Sequence, residues 1–426
     1  MTTTTPAGPE LLSRAEAANS PEDALKMLRE CVAFPSITGE EAPVAHWSAD
    51  QIAQVVDSIA VDEFAPGRAN VWARWGNGSQ DGGRGLVLAS HLDVVNIHHW
   101  VDTWADDPRL DPWAAVEVDG AIWGRGVADC KAGLAAALAA VRQLDRAGLE
   151  PEAPLTIVFV ADEESGEPDS GTSEGVRRAI SNALNGDQPI DGEIVVYGEP
   201  TGLKVVPMHL GFFVVDLVIE GHSAYFGTPE LGIDALKGAE ALLPALRALG
   251  TELSGRPAHP VIGNPALLVT SVAAGGTISV PGECTISMIR SLVPGESLDE
   301  ARDEMEAVVK AVEVDPRIRI ELKYPSRRDH EIGGTPYVLD PSTAAIGRTQ
   351  EAVRHYRSDA GEIDAIAGWS EAPFFLRDLG LPTIYLGAGS AEDCHTPREH
   401  VPTADYLSLV DVYVRLISEF CGLRRR

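Results

Sequence analysis

The sequence predicts an α/β protein, with a mixed, mostly parallel sheet flanked by helices and an inserted ferredoxin-like α+β domain. Three observations predict this fold class. Short apolar runs end in polar, Gly-rich turns and are followed by helical patterns. In the middle of the chain the order becomes strand, helix, strand, strand, helix, strand. The length of 426 residues is enough for two or three domains.

The strands of the larger domain are predicted from apolar runs that are continuous rather than alternating, which is typical of strands buried on both faces. These runs cover residues 85–90, 154–160, 193–198 and 382–387. Helical periodicity predicts helices over residues 21–33, 43–58, 131–148, 172–184, 341–356 and 403–420. Helices that follow buried strands in this way indicate a sheet covered by helices.

The inserted domain is predicted from the change of pattern after residue 207. Its expected elements are a strand at 212–220, a helix at 233–248, strands at 266–272 and 283–289, a helix at 298–312 and a strand at 317–323. We therefore predict one domain over residues 1–207 and 326–426, and an inserted domain over residues 208–325.

Composition excludes several classes of function. The chain has 34 Lys and Arg against 64 Asp and Glu, a formal net charge of −30, which repels phosphate backbones and anionic lipid. We therefore expect a small-molecule substrate and neither nucleic acid nor membrane as partner. No apolar run reaches 18 residues and no leader pattern is visible, so a cytoplasmic location is expected. The five cysteines lack CxxC spacing, which predicts free thiols.

The side chains that could bind a metal or take part in catalysis lie where the predicted strands end. His91 and Asp93 stand two apart in 89-ASHLDVV-95 and point to one side of the chain. Asp129 follows a Gly-rich turn directly before a helix. Taken singly, the first pair could be structural and Asp129 could be a helix cap. Glu163 and Glu164 follow a buried strand, and such an acidic loop is often only exposed surface.

The joint pattern is more specific than any one segment. Glu199 closes the next predicted strand, and His395 lies just after the last one. In an open α/β sheet the carboxyl ends of the strands share one crevice, so these side chains should converge. Neighbouring carboxylates resist joint ionisation unless a cation or a proton is present. Mixed carboxylate and imidazole donors suit Zn²⁺ and related divalent ions.

The sequence resembles the M20 family of dinuclear zinc hydrolases, which includes acetylornithine deacetylase, succinyl-diaminopimelate desuccinylase, aminoacylase and glutamate-releasing carboxypeptidases. The resemblance extends from 34-FPSITGEE-41 to 395-HTPREHV-401. It implies two divalent metal ions, zinc with cobalt or manganese as alternatives. It also implies the ligands: His91, Asp129 and Glu199 for one ion, and Asp129, Glu164 and His395 for the other.

The resemblance further implies the reaction. The expected activity is hydrolysis of the amide bond of an N-acyl amino acid or peptide-like substrate that carries a carboxylate, through a metal-bridging hydroxide. Glu163 would be the general base and Asp93 would orient His91. A cis peptide bond between Asp129 and Cys130 is also implied, as are a lid role for the insert and a homodimer formed through it.

The inserted domain departs from the family pattern. In 221-GHSAYFGTPELG-232, Tyr225 stands where the family has a histidine that stabilises the oxyanion, and His222 is an alternative for that role. Both residues could also simply pack in the insert. Arg290 matches an arginine that binds a substrate carboxylate, although the preceding family aspartate is Met288 here. Hydrolysis of another C–N bond, in an aryl amine or amidine, and a non-catalytic metal-binding scaffold remain alternatives.

Overall fold

The computed structural model describes residues 8–76, 85–164 and 171–426. The chain divides into two compact units. The first comprises Met1–Pro207, Leu339–Asp364 and Phe374–Arg426, and the second comprises Met208–Val338 and Ala365–Pro373. None of the described helices combines the length and the apolar character needed to cross a membrane.

The described residues form the following α-helices and β-strands. The helices are α1 (Gly8–Ala17), α2 (Pro21–Val32), α3 (Ala42–Ile52), α4 (Trp100–Thr103), α5 (Ala132–Arg146), α6 (Glu174–Asn185), α7 (Ala235–Ser254), α8 (Leu298–Ala311), α9 (Ala344–Tyr356), α10 (Ala372–Leu379) and α11 (Thr403–Cys421). The strands are β1 (Ser58–Ala65), β2 (Arg68–Trp75), β3 (Leu86–His91), β4 (Val116–Val118), β5 (Ala121–Trp123), β6 (Leu149–Pro151), β7 (Leu155–Val160), β8 (Ile194–Tyr197), β9 (Met208–His209), β10 (Gly211–Glu220), β11 (Ala266–Ala274), β12 (Glu283–Leu292), β13 (Arg319–Lys323), β14 (Gly333–Gly334), β15 (Tyr337–Val338), β16 (Thr383–Tyr385), β17 (His400–Pro402) and β18 (Leu423–Arg425).

The first unit is built on a six-stranded sheet in the order β1-β2-β7-β3-β8-β16. Strands β7, β3, β8 and β16 pair in parallel, whereas β1 and β2 are antiparallel. Every residue of β3, β7 and β8 is buried, as the continuous apolar runs predicted. Helix α5 is buried along most of its length, because its many alanines let it lie close to its neighbours. The predicted mixed, mostly parallel sheet is confirmed.

One helix prediction at the start of this unit is wrong. The helix expected over 43–58 ends at Ile52, and a strand begins at Ser58. From Ser58 onward the chain pairs residue by residue with β2, through a turn at Gly67 that has a φ of 78°. The β1–β2 hairpin was not predicted because β1 is a half-buried edge strand, whose apolar signal is weak.

The second unit follows the predicted order β10, α7, β11, β12, α8, β13. Its strands form an antiparallel sheet in the order β11-β12-β10-β13. Along β10, buried and half-buried residues alternate, so one face of the strand packs in the core of the unit. This strand order and connectivity confirm the ferredoxin-like α+β insert.

The insert ends later than the sequence indicated. The boundary was expected after residue 325, but the unit continues to Val338 and takes in Ala365–Pro373. Two short pairings account for the extension to Val338, because β14 pairs with β10 and β15 pairs with β9. The second segment is joined to the unit by an isolated bridge between His209 and Ile366. Strands of two residues carry too little sequence pattern to be recognised in advance.

Candidate metal centre

His91 is the last residue of β3, and its ring is 1% exposed. Its Nδ1 lies 2.9 Å from the backbone carbonyl oxygen of Asp93. A carbonyl only accepts hydrogen bonds, so Nδ1 carries a proton. The other nitrogen, Nε2, lies 3.1 Å from Oδ1 of Asp129. The ring is therefore fixed with Nε2 directed at the acidic cluster, as a metal-binding imidazole requires.

Asp129 lies between two histidines. Its Oδ1 faces Nε2 of His91, and its Oδ2 lies 3.2 Å from Nε2 of His395. One carboxylate oxygen of Asp129 therefore faces the donor group that contains His91, and the other faces the group that contains His395. The peptide bond between Asp129 and Cys130 is cis, as the family resemblance predicted.

The remaining donors complete three overlapping groups. Glu164 Oε1 lies 3.1 Å from Nε2 of His395. Within each group, the ligand atoms lie within 4.8 Å of one another. The groups are His91, Asp129, Cys130 and Glu199; His91, Glu163 and Glu164; and Asp129, Glu164 and His395. The structure therefore brings the five predicted ligands and Glu163 together, although they come from five segments of the chain.

The electrostatics of the cluster favour a cation. Burial, and after it the charge of Asp129, raises the pKa of Glu164. Burial also disfavours a charged His395, but hydrogen bonds to Asp129 and Glu164 raise its pKa to about 11. Burial likewise disfavours a charged His91, but Cys130 and hydrogen bonds to Asp129 and Asp93 raise its pKa. Positive charge beside these carboxylates is therefore favoured. A divalent cation would supply the same positive charge, so the donor set fits nitrogen- and oxygen-binding metals such as zinc.

Asp93 holds neighbouring segments of the cluster in place through hydrogen bonds. Its side chain is fully buried, and Oδ2 accepts hydrogen bonds from Thr38 Oγ1 and from the backbone N–H of Glu164, each at 2.9 Å. Its Oδ1 accepts from the N–H of Glu163 at 3.3 Å. Asp93 therefore fixes His91 and the Glu163–Glu164 loop together.

Two glycines let the segments that carry Asp129 and Glu199 approach. A Cβ on Gly133, in the first turn of α5, would lie 2.5 Å from the carbonyl oxygen of Gly198. A Cβ on Gly198, just after β8, would lie 2.8 Å from the Cα of Gly133. Real Cβ atoms do not come so close to backbone, so only glycine permits this contact. The contact places the start of α5 beside the end of β8.

Sequence reasoning missed Glu399 and Arg125, which hold the turn before α5. Glu399 Oε1 accepts hydrogen bonds from the N–H groups of Ala128 and Asp129, at 3.1 and 3.2 Å. Its Oε2 accepts from Arg125 Nη1 at 2.5 Å, and both side chains are 1% exposed. A glutamate four residues after His395 was the available signal, but its partners could not be recognised without the fold.

The three insert residues predicted to act on substrate lie in the second unit. Tyr225 is 62% exposed and its ring contacts that of Phe226, and His222 is also exposed. Arg290 is 1% exposed, and its Nη2 donates to Glu296 Oε1 at 2.7 Å. A substrate carboxylate would have to displace Glu296, so this environment favours a structural role for Arg290.

A mixed α/β fold with a histidine and carboxylate cluster at the carboxyl ends of its strands is the arrangement expected of a metal-dependent hydrolase. The comparison with protein families agrees with this class. The model for Peptidase family M20/M25/M40 matches residues 87–419, and the chain belongs to this family of metal-dependent amidohydrolases.

Similar proteins extend over most of the chain. An acetylornithine deacetylase of Vibrio atlanticus is 28% identical over 391 residues, which cover 89% of this chain and 90% of that protein. A probable carboxypeptidase of Aspergillus oryzae is 29% identical over 441 residues, with coverages of 100% and 93%. The predicted family and enzyme class are confirmed.

Solved structures share the fold. An M20 family metallo-carboxypeptidase from Sulfolobus solfataricus matches with a TM-score of 0.73 at 15% identity, covering 93% of this chain and 99% of that chain. Human carnosine dipeptidase 1 matches with a TM-score of 0.71 at 14% identity, with coverages of 98% and 99%. At such low identity the likeness concerns the fold alone.

Proposed function

We propose that this protein hydrolyses the amide bond of a small, carboxylate-bearing N-acyl amino acid or peptide-like substrate, with two divalent ions, preferably zinc, in the described cluster. The observation that carries the proposal is the position of Asp129, whose two oxygens face two different imidazoles at 3.1 and 3.2 Å. One carboxylate can bridge two ions in this way. The names of the relatives, a deacetylase and a carboxypeptidase, support amide bonds as the target.

The proposed ligand set divides into two groups that share Asp129. His91, Asp129 and Glu199 would hold one ion, and Asp129, Glu164 and His395 would hold the other. When bound, such ions acidify a water molecule and polarise a carbonyl. Asp93 would keep His91 in the tautomer that leaves Nε2 available, since the Asp93 carbonyl already engages Nδ1 at 2.9 Å.

Glu163 is the proposed general base. Its carboxylate belongs to the group of donors that includes His91 and Glu164, so it lies beside the ligands. It would accept a proton from the attacking water and deliver that proton to the leaving nitrogen as the C–N bond breaks. The products would be a carboxylate and an amine. Tyr225 and His222 are proposed to contact the substrate, with Tyr225 as a hydrogen-bond donor to the developing oxyanion.

The experiment compares Glu163→Gln with a matched surface change, Glu22→Gln, on a panel of N-acyl amino acids and dipeptides. We expect Glu163→Gln to keep its metal content and to lose roughly 10²- to 10⁴-fold in kcat, the range attributed to general acid–base catalysis. The Glu22→Gln variant should match the wild type. Unchanged turnover in Glu163→Gln would contradict the role of this residue. A metal-loaded wild type without turnover would favour a non-catalytic scaffold.

We also propose a homodimer formed through the second unit. In the part of the chain that the structure describes, β11 is an edge strand that pairs with β12. Besides this open edge, the strand exposes the apolar side chains of Leu268 (61%) and Val272 (44%), and Leu268 lies on the sheet face opposite Leu267, which packs against the core of the unit. Pairing with a second copy would cover this edge.

A further inference from the structure

Cys130 belongs to the donor cluster but has no part in the proposed mechanism. Its side chain is fully buried, and Sγ lies 3.8 Å from Oε2 of Glu199. Together with the ligand atoms of His91, Asp129 and Glu199, Sγ forms a group in which all distances are within 4.8 Å. A sulfur atom therefore lies where three predicted ligands of one ion converge.

The position of Cys130 follows from the local backbone. The residue is next to Asp129 in sequence, and its Sγ–H donates a hydrogen bond to the carbonyl oxygen of Gly198 at 2.7 Å. The close approach of Gly133 and Gly198 brings the two segments together. Sγ is therefore directed toward the residue before Glu199 rather than into the apolar core.

We propose that Cys130, as a thiolate, is a fourth protein ligand of the ion held by His91, Asp129 and Glu199. The inference rests on the proposed function only in assuming that a cation occupies the cluster. Binding forms a metal–sulfur bond, and the thiol proton is released to water. Thiolate sulfur is a strong ligand of zinc, and nitrogen, oxygen and sulfur donors combine readily at zinc sites.

A sulfur ligand makes the two metal positions unequal. The first would have four protein donors, whereas Asp129, Glu164 and His395 supply three at the second, where water or substrate has more room. His395 is also 53% exposed, so the three-donor position is open to solvent on that side. The four-donor position should retain its ion more firmly and should prefer zinc, cobalt or cadmium over manganese.

The test uses the full-length protein, stripped of metal and reloaded with cobalt(II). A thiolate ligand gives an intense near-ultraviolet sulfur-to-cobalt charge-transfer band, which nitrogen and oxygen ligands do not give. We expect this band in the wild type and its loss in Cys130→Ser, while the visible bands of bound cobalt remain. Cys394→Ser is the matched control because Cys394 precedes His395 and is the other cysteine beside the proposed ligands. This variant should keep the charge-transfer band.

A second measurement does not depend on any variant. X-ray absorption of the zinc-loaded wild type should show a sulfur neighbour at about 2.3 Å. If cobalt binds and substrate is hydrolysed but the sulfur band is absent, or if it persists in Cys130→Ser, the inference is overturned while the proposed function stands. If the wild type binds neither cobalt nor zinc, the proposed function itself fails. Cys130→Ser should also lose affinity for zinc relative to manganese by roughly 10-fold or more, the minimum effect of removing even an outer partner of a ligand.

Discussion

The buried ion pair of Arg125 and Glu399 should contribute both to the stability of the first unit and to its affinity for metal. We consider Glu399→Gln, which preserves shape and one acceptor oxygen but removes the negative charge. In the wild type, the two carboxylate oxygens accept three hydrogen bonds, two from backbone N–H groups and one from Arg125. In the variant, the side-chain amide nitrogen is itself a hydrogen-bond donor. It would face either the backbone N–H groups or the guanidinium of Arg125, which are also donors.

The magnitude follows from the burial of both partners. Each side chain is 1% exposed, so Arg125 would be left as a buried charge without its carboxylate. Breaking a buried pair in this way costs about 3–5 kcal/mol. The turn that presents Asp129 would also lose part of its support, so metal affinity should fall by about 10- to 100-fold, as for other supporting partners of metal ligands.

The assay is urea denaturation of the metal-free protein, followed by metal titration of the folded variant. The control is Glu30→Gln in α2, which removes the pair between Lys26 and Glu30. These side chains are 71% and 43% exposed, and the loss of such a pair should stay within about 1 kcal/mol. If Glu399→Gln unfolds at the wild-type urea concentration and binds zinc as tightly, the positioning role argued for Glu399 is incorrect.

Two further predictions concern the second unit. Burial lowers the pKa of His209 from 6.5 to about 4, so the unfolded chain takes up a proton at higher pH than the folded one. The free energy of unfolding should therefore fall by up to about 3 kcal/mol as pH decreases from 6.5 through 4, and His209→Gln should flatten this slope in urea denaturation at pH 7 and pH 4.5. An equal slope in both proteins would contradict the argument. For the proposed homodimer, light scattering should give twice the chain mass for the wild type and a smaller mass for Leu268→Asp, because a buried, unpaired carboxylate opposes association. A wild-type monomer would refute the dimer.

Much of the fold was accessible from sequence because its strongest signals are local. The buried strands β3, β7 and β8 each appear as one apolar run, and their boundaries differ from the predicted ones by only a few residues. The antiparallel hairpin of β1 and β2 was missed, and the helix before it was extended by six residues. Half-buried strands at an edge have neither a continuous apolar run nor strict alternation. Their sequence is therefore easily assigned to a neighbouring helix.

The convergence of the site residues could be predicted because parallel strands end at the same edge of a sheet. His91, Glu164 and Glu199 each lie at or just after a parallel strand, so the topology alone brings them near one another. Their roles as ligands, and the roles of Tyr225 and His222, stay predictions. The substrate-binding role of Arg290 also stays a prediction; its guanidinium donates to Glu296, six residues further along the chain.

The supporting residues could not be predicted because they depend on distances between backbones. Glu399 and Asp129 are 270 residues apart in sequence, yet the carboxylate of Glu399 accepts a hydrogen bond from the backbone N–H of Asp129. Gly133 and Gly198 matter only because their two segments touch, and neither glycine is conspicuous in a chain with 41 of them. The same contact directs Cys130 toward Glu199. The proposed centre therefore depends on a helix start and a strand end that lie unusually close, and a Cβ at either glycine would separate Asp129 from Glu199, which are proposed to hold the same ion.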